Sequence, residues 1–446
     1  MNTQNLTILL STTFLVLGVL PAQAGAPDMA FAGQGFEHLA GGNDVCAVAV
    51  QADGRIVYAG SAATSPNWSW VLGRCLDNGA PDPSFGNSGL VVVPGGFGTG
   101  QATDLAIDPQ GRIVVTGKDI VPGTNRASFT VRRFLADGTP DSSFGVGGLA
   151  AAAIDYEAFS ITLGLVPAGG PSGYAIVVGG YSKARNSGYH FALARFTDGG
   201  ALDTANFGDW TSRKHTSRKG YVLDDTYNNA SLLPRSRMAI APNGNITMVG
   251  YLVSVVDSDF LIASYLPDGS SNTAFGSGGH VLDSVAPGMG SRQPRGCVAQ
   301  ADGMVIVVGR GRNPGQGNIG TVLLRYDTNG ARDAGFGVNG LAQTGIAFEN
   351  QPAHNVEIDG NGRVTVATSA VMGAETQITS FRFLANGQPD PGYGTAGQGA
   401  VFGALPSSGD QSVVWKTATD GLGRTVLCGY GFSNGNAQQL LGRIQQ

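Results

Sequence analysis

Several cationic and amide side chains of this 446-residue chain precede a recurring hairpin glycine at similar distances. If the repeats surround a central channel, as is argued below, the count back from that glycine places the following residues near one mouth of the channel: Asp44, Gln101, Arg235, Arg237, Gln293, Arg295, Gln351, His354 and Gln411. Clustered guanidinium groups in a site of low dielectric capture carboxylate or phosphate through paired hydrogen bonds. The sequence therefore predicts a ligand site at Arg235, Arg237, Gln293, Arg295, Gln351 and His354. Its expected ligand is an acidic sugar or another small anion. An alternative is that the glutamines only satisfy backbone groups around a water-filled channel.

Other patterns with chemical potential have plainer explanations. Residues 431–435 spell Gly-x-Ser-x-Gly, but that nucleophile motif needs a strand, a sharp turn and a helix. Asp224-Asp225 and Asp257-Ser258-Asp259 do not fit a calcium loop with regular oxygen ligands. The histidines fall in different repeats and never at ligand spacing: His38, His190, His215, His280 and His354. No Gly-x-Gly-x-x-Gly precedes a helix, so the sequence gives no support for a dinucleotide-binding site. We therefore expect neither a metal nor a cofactor, and no catalytic residue can be assigned.

Composition excludes several classes of protein. Only 13% of the residues are charged, and 27 Lys+Arg stand against 32 Asp+Glu for a net charge of -5. This balance argues against a basic nucleic-acid binder and offers no polybasic segment to an anionic membrane. A hydrophobic content of 42% is ample for a packed core and excludes disorder.

The N-terminus reads as an export signal. Residues 6–20 form a mostly apolar run, followed by Pro21 and the small-x-small triplet Ala22, Gln23, Ala24. The run is too short for a comfortable membrane span, and the segment before it lacks the usual Lys or Arg. We expect residues 1–24 to be a signal peptide and 25–446 a single domain in the periplasm or outside the cell. The alternative is a buried N-terminal segment.

The remaining chain repeats one unit seven times. An alternating apolar stretch, a two-residue turn and a second apolar stretch centre on Gly54, Gly111, Gly173, Gly244, Gly303, Gly362 and Gly423. A second phrase carries an arginine at Arg74, Arg133, Arg195, Arg325, Arg382 and Arg443, with Ser264 in the fourth copy. A third phrase, Asp-x-Ser-Phe-Gly, places a ring at Phe31, Phe85, Phe144, Phe207, Phe275, Phe336 and Tyr393. Successive rings are 54 to 68 residues apart.

Each unit predicts four antiparallel strands, because Asp-Gly or Asn-Gly between alternating apolar segments is a strong hairpin signal. Four such strands without helical periodicity are typical of a propeller blade, and a solenoid is the alternative. We therefore predict an all-β, seven-bladed β-propeller. The Asp and the ring of the third phrase occur in every copy, so we interpret them as a turn and a wedge between blades rather than as a site.

These phrases resemble the bacterial delta-60 repeat, a β-propeller family. The resemblance carried by Ala-Val-x-x-Asp-Gly-Arg-Ile-Val-x-x-Gly, Phe-x-x-x-Arg-Phe and Asp-x-Ser-Phe-Gly covers essentially all of residues 25–446. Copies three and four depart most. The resemblance implies a propeller fold and export, since members are mostly exported proteins of unassigned activity, and it provides no catalytic residues to transfer.

The two chain ends predict how the ring closes. The last residues match a third strand, whereas residues 27–36 match a turn and a fourth strand. The N-terminal strand should therefore complete the last blade and protect both terminal edges. Of the four cysteines, Cys297 should be a buried free thiol, Cys75 has no evident partner, and Cys46 with Cys428 is the only pair that neighbouring blades allow.

The functional prediction is a binding or interaction scaffold. The spacing from a ring to the next hairpin glycine is 23 to 30 residues elsewhere but 37 between Phe207 and Gly244, and this surplus is rich in Lys and Arg. Insertions in one repeat often mark a binding face, although a neutral surface hairpin is the alternative. We expect a monomer whose partner is a small molecule, a saccharide or an envelope protein. The competing class is a hydrolase or lyase whose site is assembled from several blades at the channel mouth.

Overall fold

The fold is taken from a computed structural model. Placement is described for residues 24–39, 44–64, 67–95, 100–120, 126–154, 156–169, 173–183, 188–208, 220–227, 237–253, 258–284, 293–312, 319–344, 349–351, 353–372, 375–394, 399–403, 413–433 and 436–445. Regular structure within these ranges is β-strand throughout, so they hold no helix of a length and apolarity that would cross a bilayer.

Twenty-nine strands are described, in seven antiparallel sheets. Blade 1 contains β2 Asp44–Val50, β3 Ile56–Thr64, β4 Asn67–Cys75 and β5 Leu90–Pro94; blade 2 contains β6 Gln101–Ile107, β7 Ile113–Ile120, β8 Ala127–Phe134 and β9 Leu149–Ala152. Blade 3 contains β10 Glu157–Pro167, β11 Tyr174–Lys183, β12 Tyr189–Thr197 and β13 Tyr221–Asp224; blade 4 contains β14 Arg237–Ile240, β15 Ile246–Val253, β16 Ser258–Tyr265 and β17 His280–Asp283. Blade 5 contains β18 Gln293–Ala299, β19 Val305–Arg312, β20 Ile319–Tyr326 and β21 Leu341–Gln343. Blade 6 contains β22 Glu349–Gln351, β23 Val356–Ile358, β24 Val364–Met372, β25 Glu375–Phe383 and β26 Ala400–Gly403; blade 7 contains β27 Val413–Thr419, β28 Thr425–Ser433, β29 Asn436–Ile444 and β1 Phe36–Leu39.

The ring closes as the two chain ends predict. Strand β1 pairs antiparallel with β29, so the N-terminal strand becomes the outer strand of blade 7. Asp28 N also donates to Arg443 O over 2.9 Å. The prediction of a seven-bladed propeller closed by its N-terminus is confirmed.

Blade 6 departs from the four-strand prediction, because its innermost strand is divided into β22 and β23, both paired with β24. In the sequence, Pro352 lies between these two strands and has no N–H for a ladder hydrogen bond. The division places His354 in the interval between the two strands.

Hydrophobic side chains of neighbouring blades form shared cores. Val114 and Phe129 of blade 2, for example, pack in one cluster with Ile176 and Val178 of blade 3. These four side chains are fully buried, because successive residues of a strand point to opposite faces and both faces of a blade are covered. Packing between blades therefore holds the innermost strands around the axis.

A repeated clamp of arginine, aspartate and an aromatic ring joins the blades. In six blades the Arg Nε donates to the Asp Oδ2 over 2.6 to 2.9 Å, and the guanidinium lies 4.4 to 5.3 Å from the ring centroid. The second nitrogen reaches the following blade, as where Arg195 Nη1 donates to Pro267 O over 2.8 Å. The Asp also caps its own turn, since Ser84 N donates to Asp82 Oδ1 over 2.9 Å. The interpretation of this phrase as structural is confirmed.

Blade 4 replaces the clamp with a neutral pair. Ser264 stands in the arginine position and Asn272 in the aspartate position, and Asn272 Nδ2 donates to Ser264 Oγ over 3.2 Å. Both residues are buried. The two substitutions occur together because either charge alone would be left buried without its partner.

Candidate ligand site in the central channel

The innermost strands carry a backbone irregularity where the channel mouth begins. The register shifts by one residue in β2, β6, β10, β18 and β27. Such a β-bulge bends the strand and redirects the extra side chain, and bulges are frequent beside functional sites. The extra residue is Arg295 in β18 and Trp415 in β27. The bulges therefore decide which side chains occupy the mouth.

The predicted site residues are distributed over blades 4 to 6. Arg237 begins β14, Gln293 begins β18, and Arg295 follows two residues later. Gln351 ends β22, but its side chain lies outside the described residues, as does all of Arg235. The long basic insertion between Phe207 and Gly244 is also largely outside them, at 209–219 and 228–236.

Arg295 connects two other predicted residues. Its Nη1 donates to His354 Nε2 over 2.8 Å, and its Nη2 donates to Gln293 Oε1 over 3.3 Å. Because a guanidinium has only donors, His354 Nε2 must be the acceptor, which places the ring proton on Nδ1. Arg295 and His354 are 6% and 4% exposed. Blades 5 and 6 are thus joined at the mouth by a cation and a neutral imidazole.

An aromatic pair that the sequence analysis missed borders this group. The ring of Trp415 meets the ring of His354 edge to face, with centroids 4.5 Å apart, and Tyr430 lies 6.0 Å from Trp415. Trp415 and Tyr430 are partly buried. Aromatic rings that combine an apolar face with a polar edge suit a ligand that is itself amphipathic, such as a sugar.

Arg237 points away from this group. Its Nη1 is 3.5 Å from Ile161 O of blade 3, a long hydrogen bond. Its charge also acts on Cys297, where burial nevertheless raises the thiol pKa to about 12. The structure therefore brings together Gln293, Arg295 and His354, and it directs Arg237 toward blade 3. The buried free thiol predicted at Cys297 is confirmed.

Below the mouth, a lysine and an aspartate meet across blade 1. Lys416 Nζ of blade 7 contacts Asp104 Oδ1 of blade 2. The other carboxylate oxygen, Oδ2, accepts hydrogen bonds from Thr162 Oγ1 and Leu163 N of blade 3, both over 3.0 Å. Asp104 is 1% exposed. This contact links three blades around the channel.

Glu357 of β23 lies beside the same lysine. Burial raises the pKa of Glu357 to about 7, although the Lys416 charge and hydrogen bonds from Asn355 and Thr417 act in the opposite direction. The negative charge of Asp104 raises this pKa further. Asn355 Nδ2 donates to Glu357 Oε1 over 2.8 Å. Both protonation states of this carboxyl are therefore populated near neutral pH, as acid–base chemistry requires.

A position in the repeat could have revealed this second layer. Asp104, Arg237, Asn355 and Lys416 each stand seven residues before the hairpin glycine of their blade. Three of these four residues, Asp104, Arg237 and Lys416, have ionisable side chains. The other residues predicted at the mouth stand at several different distances from the glycine. An exact count from the glycine would have placed the four residues in one ring.

Other residues considered in the sequence have structural surroundings. Ser433 of the Gly-x-Ser-x-Gly segment ends β28 and pairs with Asn436, the first residue of β29, so the described part of the segment belongs to a paired β-strand. Cys428 lies within β28 and is buried. The side chain of Cys46 is outside the described residues.

Cationic side chains outnumber anionic ones among the channel residues named above. Arg237, Arg295 and Lys416 outnumber Asp104 and Glu357, and the Glu357 carboxyl is neutral in part of the molecules. Within the described part of the chain, no group of three His, Cys, Asp or Glu side chains is arranged to hold a metal ion. The arrangement can bind an anion and can exchange a proton at Glu357.

Comparison with known proteins supports the repeat architecture. Residues 51–85, 109–144, 176–205 and 300–336 match a family model described as a β-propeller domain of unknown function, DUF5122. These segments lie in blades 1, 2, 3 and 5 and show that the chain contains propeller repeats of this kind. No curated protein matches the sequence.

Several solved structures resemble this chain at low sequence identity. The polysaccharide lyase Uly1 is 10% identical over 92% of this chain and 91% of its own, with a TM-score of 0.48. A polysaccharide lyase of family PL25, an ulvan lyase, is 10% identical over 94% of each chain, with a TM-score of 0.49. Sqt1 of Chaetomium thermophilum, bound to the N-terminus of ribosomal protein L10, is 13% identical over 92% of this chain and 98% of its own, with a TM-score of 0.46. At these values the likenesses carry no argument about function.

Proposed function

We propose that this protein binds a small ligand that bears an anionic group, in the first place an acidic saccharide, at the channel mouth. The observation that carries the proposal is the meeting of Arg295, His354 and Trp415, which come from three successive blades. The cation supplies a site for a carboxylate or sulfate, and the indole supplies an apolar face.

Exchange of partners at Arg295 makes binding favourable. Two hydrogen bonds of this guanidinium end on a neutral imidazole nitrogen and a neutral amide oxygen. A carboxylate is a stronger acceptor, because charge-assisted hydrogen bonds are about twice as strong as neutral ones. The positive balance of the channel also draws an anion toward the mouth.

Calorimetric titration with glucuronate oligosaccharides tests the proposal, with neutral glucose oligosaccharides of equal length as the ligand control. We expect Arg295→Ala to weaken binding of the acidic series at least about tenfold, because the loss of a charged hydrogen bond is typically 1.5–3 kcal/mol. Arg363→Ala is the matched protein control, since that guanidinium pairs locally with Asp359 over 2.6 Å in the hairpin before β24. Equal affinity for both ligand series, or an unchanged affinity of the Arg295 variant, would contradict the proposal.

A second candidate function is a hydrolase or lyase, and the titrating carboxyl of Glu357 next to Lys416 favours it. A group whose pKa lies near the working pH can both take up and release a proton. The test is incubation with acidic polysaccharides while new reducing ends and unsaturated products are measured. Products that the native protein forms and the Glu357→Gln variant does not form would support an enzyme. Binding of the polysaccharide without any product would support a binding scaffold instead.

We also propose that the repeats belong to the delta-60 class and that the protein is an exported monomer. The phrase order supports the first point, and the apolar run before Ala22, Gln23 and Ala24 supports export. An envelope protein is the alternative partner. Cell fractionation and the elution volume of the purified protein test location and oligomeric state.

A further inference from the structure

We propose that Lys416 and Asp104 become joined by an intramolecular amide bond that forms without another protein and links blade 7 to blade 2. The contact between Lys416 Nζ and Asp104 Oδ1 brings an amine nucleophile to a carboxyl carbon, with 312 residues of chain between them. Asn355 Nδ2 donates to Glu357 Oε1 over 2.8 Å and to Thr417 Oγ1 over 3.0 Å, which holds the Glu357 carboxyl beside the residue that follows Lys416, where it can carry a proton.

The backbone keeps the two groups together. Both occupy the same position of the repeat, immediately after the bulge of an innermost strand, in β27 and β6. Strand β2 of blade 1 lies between them, and its residue at this position is Ala47, which is fully buried and small. Ala47 packs in one hydrophobic cluster with Ala102 and Leu105 of blade 2, so the strand that carries Asp104 is held directly against blade 1.

The surroundings of Asp104 favour attack at its carbon. Thr162 Oγ1 and Leu163 N donate to Oδ2, each over 3.0 Å. When Nζ attacks Cγ, negative charge develops on one carboxyl oxygen, and two fixed donors at that oxygen stabilise the tetrahedral intermediate. Asp104 is nearly inaccessible to water. The site therefore resembles an oxyanion hole built from blade 3.

Glu357 completes the proton balance. A proton first moves from the lysine ammonium to the aspartate carboxylate, leaving an amine and a carboxylic acid. The amine attacks Cγ, and the ionised Glu357 carboxyl takes a proton from Nζ. Protonated Glu357 then gives that proton to the departing hydroxyl group, which leaves as water while the Nζ–Cγ amide forms. Proton transfer in both directions suits a carboxyl that exists in both forms near neutral pH.

The bond would close a covalent loop of residues 104–416, which contains most of blade 2, all of blades 3 to 6 and the beginning of blade 7. A cross-link between distant residues removes conformations from the unfolded chain, and the effect grows with the length of the loop. In this propeller it would secure the same part of the ring that β1 and β29 close by hydrogen bonds. Formation of the bond needs no ligand, so its test is independent of the test of the proposed function.

Peptide mapping of the full-length protein as expressed tests the bond. Trypsin cuts after Lys and Arg, so an unmodified chain yields separate peptides 75–112, 383–416 and 417–424. An amide at Lys416 blocks cleavage there, and we expect 75–112 joined to 383–424, one water lighter than the sum of the two. The intact mass, read against the N-terminus found by sequencing, should also be one water below the sequence mass.

Three variants separate the roles. Lys416→Arg keeps a cation but removes the nucleophile and should have the full sequence mass. Glu357→Gln should also keep the full mass, because the proton carrier is lost. Lys183→Arg alters a lysine on blade 3 that lies against Tyr189 and should lose water like the native protein. Because mass is measured on denatured protein, poor folding of a variant does not obscure the native result. Native protein at the full sequence mass with free 417–424 would overturn the bond, and water loss in Glu357→Gln would overturn the role of Glu357.

Discussion

Replacement of one clamp arginine, Arg133, by serine should destabilise the propeller strongly. Arg133 Nε donates to Asp141 Oδ2 over 2.7 Å, its guanidinium stacks on Phe144 at 4.6 Å, and its Nη1 donates to Asp198 O of the next blade. Burial alone would raise the pKa of Asp141, but hydrogen bonds from Ser143 and Arg133 hold it below the usual value. Without Arg133, the buried aspartate keeps only the longer ion pair with Arg112, whose Nη1 lies 3.8 Å from Asp141 Oδ2. Breaking one side of such a pair typically costs about 3–5 kcal/mol, against a total stability of about 5–15 kcal/mol.

The neutral pair of blade 4 provides the matched rescue. In the double variant Arg133→Ser with Asp141→Asn, the two side chains reproduce Ser264 and Asn272, whose hydrogen bond spans 3.2 Å. We expect the double variant to recover about half of the lost stability, because no buried charge remains while stacking and the link to Asp198 stay absent. Equilibrium unfolding in urea at pH 7, followed by tryptophan fluorescence, measures all three proteins. If the single and double variants are equally destabilised, or the single change costs less than about 1 kcal/mol, the clamp does not act through charge pairing.

Three further outcomes are expected. His280 Nε2 lies 2.6 Å from Asp224 Oδ2 between blades 4 and 3; burial opposes protonation, but this pair raises the pKa of His280 and holds that of Asp224 at about 2. The stabilisation that this ion pair provides should therefore be complete between about pH 4 and 6.5. It should decrease as the pH rises through the raised pKa of His280, and it should decrease again as the pH falls toward 2. The melting temperature of His280→Asn should lack the decrease on the alkaline side. Deleting residues 438–446 removes several buried side chains of β29 at roughly 1.5–3 kcal/mol each, so a soluble, cooperatively unfolding truncation would argue against the closure. Exported protein should begin at Gly25, and Edman sequencing that finds residues 1–24 intact would reject the signal peptide.

The repeated parts of this propeller could be predicted because each follows from local chemistry. An Asp-Gly between alternating apolar segments favours a tight hairpin, and Gly54 does adopt the positive φ of 84° that such a turn needs. The aspartate of the third phrase caps its own turn, so its role can be inferred within five residues. The division of the innermost strand of blade 6 was not predicted. Pro352 cannot donate a ladder hydrogen bond, and the alternation of apolar residues in so short a strand is too weak to show where pairing stops.

The sequence predicted only those features of the candidate site that follow from the position of a single residue within its repeat. Arg295 and His354 could be assigned to the mouth by counting from a glycine, and the structure places them 2.8 Å apart. Trp415 was missed because a bulge redirects it, and a bulge leaves no clear mark in one sequence. Arg237 was assigned correctly to the innermost strand, but its direction toward blade 3 depends on neighbouring backbone atoms.

The sequence by itself determined the number of blades, their hairpins, the closing strand and the turn aspartate and ring of each repeat, because these depend on contacts between near neighbours or on a pattern repeated seven times. Only the tertiary structure decided which unlike residues meet in the channel. Lys416 and Asp104 are 312 residues apart and belong to blades separated by another blade. Their contact, and the raised pKa of Glu357 beside them, result from closing the ring, which brings seven distant strands around one partly buried axis.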